Sequence, residues 1–251
     1  MNLLWTFLTV MTVIALVISF FLKGKAMAAR VREFLGTSKQ RAVKFMSEFK
    51  RKTFHLVGLL VPGIYYFGLK FGFLTKFQAC SIVAGFAGFS LTVDLLRLKS
   101  ERFNKMFQES PAGKIMRKKE LNDINGSTYY LIGSLLTMIL FHPTIAIASL
   151  LFLDLGDLFA ALVGISFGRV KVYKNKSLEG CLANFFICMA VGLTIFYHVH
   201  LYEYISLIGA ITATLTELFL DQINDNLSIP IMSGIALTLA QWRLGVEIPF
   251  M

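Results

Sequence analysis

The sequence has little charge for its length. Only 16% of its 251 residues are charged, whereas 56% are apolar. A soluble domain of this length can bury a core without apolar runs that approach 20 residues. Runs of about 18 or more apolar residues are typical of membrane spans. The composition therefore argues against a soluble domain and predicts one polytopic membrane domain.

Several common site motifs are also missing. The cysteines Cys80, Cys181 and Cys188 form no C-x-x-C pair and lie in or beside apolar runs, so neither a disulfide framework nor a cysteine-based metal site is indicated. A Walker A loop and a G-x-G-x-x-G fingerprint are absent. No charged residue precedes Lys23, whereas a cleaved signal peptide carries positive charge before its apolar stretch. Residues 3–22 are therefore interpreted as a retained helix.

Eight apolar runs are long enough, or nearly so, to be transmembrane helices. They cover residues 3–22, 54–69, 75–96, 126–142, 144–168, 181–200, 203–220 and 229–245. At about 1.5 Å per residue, 20 residues cross a hydrocarbon core of roughly 30 Å. We predict an all-α fold of about eight transmembrane helices, the last of them starting at Pro230. The chain then divides into an N-terminal helix (1–22), a basic cytosolic segment (23–53) and a helical membrane domain (54–251).

The net charge of +10 comes from basic residues clustered between the runs. The connections 23–53, 97–125 and 169–180 contain 22 of the 25 Lys and Arg residues. The positive-inside rule places these connections in the cytosol and the N-terminus outside. Membrane orientation thus explains the charge, and nucleic-acid binding is not expected. Segment 23–53 is interpreted as amphipathic helix at the lipid headgroups, with a solvated basic connection as the alternative.

Acidic residues in or beside the spans are the first candidates for chemistry, because carboxylates are costly in a membrane. Asp154 and Asp157 are three residues apart, a spacing that puts both on one face of an α-helix. Glu179, Glu217 and Asp225 fall at ends that the orientation places in the cytosol. Mg²⁺ binds oxygen ligands and often shares them with substrate phosphates, so these five residues are candidate metal ligands. Interhelical hydrogen bonds, ion pairs and an ion pathway are the alternatives.

Small and basic residues near these carboxylates are candidate phosphate ligands. Gly164 and Gly168 continue a small-residue stripe through which another helix, or a ligand, can approach the backbone. Lys176 and Ser177 offer a cation and a hydroxyl donor, although a positive-inside loop explains the same residues. His55 is a candidate base, phosphate ligand or structural histidine. The remaining candidates are cations and polar residues near helix starts: Arg51, Lys52, Arg117, Lys118, Lys119, Asn125, Gly126 and Asn226.

Six short motifs, in this order, resemble a known family. They are Arg51-Lys52-x-x-His55, Asp94-x-x-Arg97, Met116 to Glu120 with Asn125-Gly126, Gly156-Asp157 with the stripe to Gly168, Lys176 to Gly180, and Glu217 to Pro230. Over residues 48–240 the chain resembles the membrane lipid-alcohol kinases, which include dolichol kinase, phytol kinase and the CTP-dependent diacylglycerol kinase. This family is distantly similar to the phosphatidate cytidylyltransferases. The Arg-Lys-Lys-Glu and Asn-Gly motifs are most similar to the CTP-dependent diacylglycerol kinase.

The resemblance implies transfer of the γ-phosphoryl group of CTP to a lipid hydroxyl at the cytosolic leaflet. It implies catalytic roles for Asp157, Lys176 and His55, with Mg²⁺ held by Asp157 and Asp225 as the main ligands. Diacylglycerol is the expected acceptor, and phytol, dolichol or another polyprenol is the alternative. A cytidylyltransferase-like reaction and an ion-coupled transporter are further alternatives. The expected membrane is the cytoplasmic membrane in a bacterium, or the endoplasmic reticulum or nuclear envelope in a eukaryote, and an oligomer is compatible with all of these.

Overall fold

The computed structural model describes residues 56–110, 113, 116, 118–174, 176–220 and 223–250. The predicted first helix and the basic segment lie outside these residues. So do the candidate residues Arg51, Lys52, His55 and Arg117, and the side chains of Lys118 and Lys119. The predictions for them stay predictions.

The described part of the chain is mostly helical, and each apolar run from residue 54 onward coincides with a helix or a helix pair. A 3₁₀ turn (Leu56–Leu59) leads into α1 (Leu60–Lys70), and α2 (Lys76–Lys99) and α3 (Glu101–Glu109) follow. A second 3₁₀ turn (Lys118–Asn122) precedes α4 (Gly126–Leu140). A π turn (Phe152–Gly156) joins α5 (Pro143–Leu151) to α6 (Asp157–Phe167). An antiparallel hairpin of β1 (Lys171–Tyr173) and β2 (Lys176–Ser177) precedes α7 (Leu178–Phe196), α8 (Tyr202–Phe219) and α9 (Asp225–Leu244).

Polar residues at the run boundaries cap several of these helices. Thr75 forms a capping box with Gln78 at the start of α2. Ser177 accepts a hydrogen bond from the amide of Gly180 at 3.2 Å at the start of α7. Asn224 caps α9 in the same way. Each cap satisfies a backbone N–H group that has no acceptor within its own helix, which explains why these helices begin where they do.

Contacts between helix ends define a polar end of the bundle. Asn226 Nδ2 donates to the carbonyl oxygen of Gly126 at 2.8 Å, which joins the starts of α9 and α4. The ammonium group of Lys176, before α7, contacts Glu217 near the end of α8. At the opposite end, Lys76 donates to the carbonyl oxygen of Phe141 at 3.0 Å. The chain direction then places the ends of α2 and α6 at the polar end as well.

The outer faces of the helices expose large apolar side chains. On α2, Phe77 is 80% exposed and Phe89 is 71% exposed. Among the described residues, three helical stretches are long and apolar enough to cross a membrane: Lys76–Lys99, Pro143–Phe167 and Leu178–Phe196. So much exposed apolar surface is unfavourable in water, and lipid covers it in an integral membrane protein. The predicted total of eight spans and the outside N-terminus stay predictions.

The connections between the apolar runs contain two elements that the sequence did not predict. The first is the small hairpin of β1 and β2, whose turn holds Lys174 at a positive φ of 47°. The second is α3, which begins directly after α2. The Ser100 side chain accepts a hydrogen bond from the amide of Phe103 at 3.3 Å, so one helix ends and another begins at this residue.

The start of the last helix also differs from the prediction. The sequence placed it at Pro230, but α9 begins at Asp225 with Asn224 as its cap. Pro230 therefore lies inside the helix, where it has no N–H to donate to the carbonyl oxygen of Asn226. This carbonyl lies against Gly133 of α4, and a Cβ at Gly133 would be only 2.5 Å away from its oxygen. The missing hydrogen bond thus falls where α4 and α9 are in close contact.

Candidate functional site

The two aspartates of the central span lie on either side of a helix irregularity. The π turn Phe152–Gly156 has a wider turn than an α-helix, so the three-residue spacing of Asp154 and Asp157 no longer places them on one regular α-helical face. Asp154 is only 3% exposed, and its Oδ2 lies 3.2 Å from the hydroxyl of Tyr130. That hydroxyl donates to the carbonyl oxygen of Gly58 at 2.8 Å. Asp157 is also buried and opens α6.

A second polar group joins the hairpin, α7 and α8. Lys176 Nζ lies 3.5 Å from Oε1 of Glu217 and also donates to the backbone carbonyl of Glu217. Asn184 Nδ2 donates to Oε2 of the same carboxylate. The buried Asn184 accepts hydrogen bonds from Thr214 at 3.1 Å and from Cys188 at 3.2 Å. We call Lys176, Asn184, Thr214 and Glu217 the Lys176 cluster.

The small-residue stripe of α6 is in contact with the start of α7. A Cβ at Gly180 would lie 2.9 Å from the carbonyl oxygen of Ala160 and 3.3 Å from the Cα of Gly164. A Cβ at Gly168 would lie 2.7 Å from the hydroxyl oxygen of Ser177. Of the two partners that the stripe allowed, a helix or a ligand, the structure shows a helix. Gly164 and Gly168 thus serve helix packing and Ser177 caps α7, while their nucleotide roles stay predictions.

Glu179 binds the backbone that leads into the hairpin. Its Oε1 accepts hydrogen bonds from the amides of Arg169 at 2.9 Å and Val170 at 3.3 Å. One oxygen of this candidate metal ligand is therefore bound to the protein backbone. The carboxylate links the end of α6 to the first turn of α7 at the polar end of the bundle.

The Asn-Gly motif meets the start of the last helix. Asn226 donates to the carbonyl oxygen of Gly126 and also packs against this glycine. A Cβ added at Gly126 would lie 3.3 Å from Nδ2 of Asn226 and 3.2 Å from Oε1 of Glu120. In the sequence, Asn125, Gly126 and Asn226 are candidate ligands near helix starts. The structure brings Gly126 and Asn226 into direct contact although they are 100 residues apart.

The carboxylates fit a magnesium site only in part. Among the described residues, no group of three or more His, Cys, Asp and Glu side chains is placed to hold a metal ion. Mg²⁺ commonly uses one or two carboxylates together with substrate phosphates, so such a group is not required. Glu217 and Glu179 use carboxylate oxygens for contacts within the protein. Asp157 and Asp225, the first residues of α6 and α9, stay the predicted metal ligands.

Several structural partners were not identified from the sequence. Asn184 holds Glu217, and Tyr130 contacts Asp154, but neither residue was a candidate. The signal for Asn184 was present, because an amide inside an apolar run needs a buried hydrogen-bond partner. Tyr130 gave no such signal, since tyrosine is common in membrane helices.

Comparison with known proteins relates the chain to named lipid kinases. An uncharacterised protein of Rickettsia prowazekii is 29% identical over 207 residues, which is 80% of this chain and 98% of that protein. The CTP-dependent diacylglycerol kinase 1 of Saccharomyces cerevisiae is 28% identical over 213 residues, covering 75% of this chain and 71% of the yeast protein. The kinase of the same name from Schizosaccharomyces pombe is 35% identical over 98 residues, 38% of this chain and 44% of that protein.

The chain is similar over about three quarters of its length to CTP-dependent diacylglycerol kinases, and these relatives indicate a lipid kinase. No family model matches it, and no solved structure shows a significant match. The similarity to these kinases agrees with the resemblance drawn from the six motifs. The polar end of the bundle is therefore the candidate active site of a lipid kinase.

Proposed function

We propose that this protein transfers the γ-phosphoryl group of CTP to the hydroxyl of diacylglycerol and so forms phosphatidate. The observation that carries the proposal is the position of the candidate residues. The Lys176 cluster, Gly126 with Asn226, and Asp225 at the start of α9 all belong to helix ends at one end of an apolar bundle. Asp157 lies further into the bundle, at the start of the helix α6 that ends there. A lipid hydroxyl at headgroup level and a water-soluble nucleotide can meet there. The named fungal relatives supply the donor and the acceptor.

The proposed step is an in-line phosphoryl transfer. The lipid oxygen forms a bond to the γ-phosphorus of CTP, the bond from this phosphorus to the bridging β–γ oxygen breaks, and CDP leaves. The hydroxyl proton passes to a carboxylate at the polar end or to His55. Such a transfer depends on positioning and on cations around the phosphate oxygens, which Lys176 and the 117–119 run would provide. Because Lys176 is paired with Glu217, phosphate binding would compete with this ion pair.

Asp157 and Asp225 would hold Mg²⁺ together with phosphate oxygens of the nucleotide. A bound Mg²⁺ would supply positive charge against the charge that spreads over the transferred group. Asn226 would orient the start of α4 through its bond to Gly126, so that the nucleotide pocket and the metal ligand at Asp225 share one helix start.

A label-transfer assay in detergent tests the proposal. Purified protein receives Mg²⁺, diacylglycerol and either γ-labelled CTP or γ-labelled ATP. We expect label in phosphatidate from CTP. Asp157→Asn, which removes one charge with little change in shape, should lower the rate by about a hundredfold to a thousandfold, the scale of losing a key electrostatic group. Glu203→Gln, the matched control in the first turn of α8 at the opposite end of the bundle, should keep the wild-type rate.

The alternatives give different products. Label in a prenyl alcohol, but not in diacylglycerol, would keep the kinase reaction and replace the acceptor. Pyrophosphate release from CTP, with phosphatidate consumed, would instead indicate a cytidylyltransferase. Transfer in detergent, where no ion gradient exists, would exclude an ion-coupled transporter as the explanation.

A further inference from the structure

Arg97 is buried at the end of α2, where all its donors are used. The side chain is 1% exposed. Nη1 donates to the carbonyl oxygens of Glu120 at 2.8 Å and Leu121 at 3.1 Å, and Nη2 donates to that of Asp123 at 2.5 Å. Nε and Nη2 also donate to Oδ1 of Asp94 at 3.2 and 3.0 Å. A guanidinium group has five N–H donors, and these five contacts account for all of them.

The hydrogen-bonding capacity of Asp94 is also fully used. Besides the two bonds from Arg97 to Oδ1, its Oδ2 accepts hydrogen bonds from the amide of Asn125 at 2.9 Å and the hydroxyl of Thr128 at 2.7 Å. An ionised carboxylate has about four acceptor positions, so the described contacts fill this group too. Neither side chain has hydrogen-bonding capacity left for a substrate. The pair can affect a ligand only through the backbone that it holds.

That backbone is the connection between α3 and α4. The bound carbonyls belong to the Lys118–Asn122 turn and to Asp123, and the bound amide belongs to Asn125, the cap of α4. Three backbone carbonyls and one backbone amide are thus attached to a single buried ion pair on a neighbouring helix. Phe107 of α3 lies beside the guanidinium, 5.9 Å from ring centroid to Cζ, and closes the group on another side.

We propose that Arg97, held by Asp94, is a positioning residue that fixes the Lys118–Asn122 turn and the start of α4 for nucleotide binding. This inference rests on the proposed function, because the turn carries the cations Lys118 and Lys119 and leads to Asn125-Gly126. Without the guanidinium, three carbonyls lose their buried donor and the turn can leave the α2 surface. The nucleotide then meets a mobile turn and must order it on binding.

Arginine is required here for its shape as well as its charge. The two Nη atoms of its planar guanidinium bind three backbone carbonyls while Nε remains hydrogen-bonded to Asp94. A lysine ammonium group has only three donors, all on one atom. We therefore expect Arg97→Lys to behave more like Arg97→Ala than like the wild type. Lys99→Ala is the matched control, since it removes an exposed cation from the same last turn of α2.

The first test is equilibrium binding of labelled CTP, together with KM and kcat. Arg97→Ala should raise both the Kd and the KM for CTP about tenfold, the effect of losing one charged hydrogen bond to the turn. The KM for the lipid and the control Lys99→Ala should stay at wild-type values. Millimolar guanidinium, which can enter the space left by the side chain, should lower the KM of Arg97→Ala again. A reduced melting temperature with unchanged CTP affinity would overturn the proposal.

The second test does not depend on catalysis. Trypsin cleaves after basic residues, so cleavage within 117–119 of the folded protein in detergent reports release of the turn. Cleavage should be faster in Arg97→Ala than in Lys99→Ala, and guanidinium should slow it. Equal cleavage rates would refute the positioning role. If the wild type shows no lipid kinase activity, the proposed function fails, whereas cleavage and CTP binding still decide this inference.

If Arg97→Ala does not fold, Thr128→Val provides a milder perturbation. It removes one hydrogen bond to Asp94 and leaves Arg97 in place. We expect a smaller increase in the Kd for CTP and in the cleavage rate, in the same direction. Wild-type values for both would overturn the proposal.

Discussion

Exchange of the buried Asn184 for aspartate tests the Lys176 cluster by changing one atom type. Asn184 donates through Nδ2 to the carboxylate of Glu217 and accepts through Oδ1 from Thr214 and Cys188. Asn184→Asp keeps the shape and the acceptor. It replaces the donor with a second negative charge against Glu217. The effect on stability should therefore come from electrostatics and a lost hydrogen bond, with no cavity.

The expected loss follows from the contact distance. Two carboxylates in hydrogen-bond contact are roughly 3 Å apart, and at an effective dielectric constant of about 20 they repel by on the order of 5 kcal/mol. Lys176, 3.5 Å from Oε1 of Glu217, attracts the added charge and offsets part of this repulsion. We expect a net loss of about 3–4 kcal/mol in the free energy of unfolding, similar to a broken buried ion pair.

The assay is thermal unfolding in detergent beside a neutral control. For a chain of this size, about 1 kcal/mol shifts the melting temperature by roughly 2–4 °C, so Asn184→Asp should melt roughly 6–16 °C below the wild type. Thr214→Val removes one neutral hydrogen bond to the same Asn184 and should lower the melting temperature by only about 2–4 °C. If both variants melt at the same temperature, Glu217 is not held by Asn184 and the cluster has been described wrongly.

Two further changes test the helix contacts by the same measurement. Gly180→Ala puts a Cβ 2.9 Å from a backbone oxygen of α6 and should destabilise by about 1–3 kcal/mol. Gly85→Ala is the control, because a Cβ there has no neighbouring atom within 4 Å, and it should be neutral or stabilise by up to about 1 kcal/mol. Equal melting temperatures for Gly180→Ala and Gly85→Ala would contradict the close approach of α6 and α7. Tyr130→Phe removes the hydroxyl at Asp154 and should cost about 1–3 kcal/mol, so an unchanged melting temperature would argue against a tight contact.

The helices could be located from the sequence because the signals for them are local. Apolar runs mark buried or lipid-facing helices, and cap residues such as Thr75 and Ser177 mark their starts. The start of α9 was placed wrongly because proline is common at helix starts, whereas the helix begins at Asp225, five residues before Pro230, with Asn224 as its cap. The hairpin and α3 were missed because short elements between spans carry weak hydropathy signals.

The candidate site could be predicted as a group of residues at one end of the bundle, but their contacts could not. The alternation of basic loops indicated which helix ends lie together. It could not show that Lys176 contacts Glu217, 41 residues away in sequence, or that the stripe at Gly164 packs against Gly180. The π turn was equally hidden, since a pattern of residues three and four apart assumes a regular α-helix.

The sequence by itself determined that this is a helical membrane protein with most of its charged residues between the apolar runs, because hydropathy and charge act on each segment separately. Tertiary structure alone decided which polar groups meet. In a bundle, a buried donor such as Arg97 or Asn184 must find acceptors on other segments, and their distance and direction depend on how the helices pack. The roles of these residues, in catalysis or in holding the site, therefore follow from the packing.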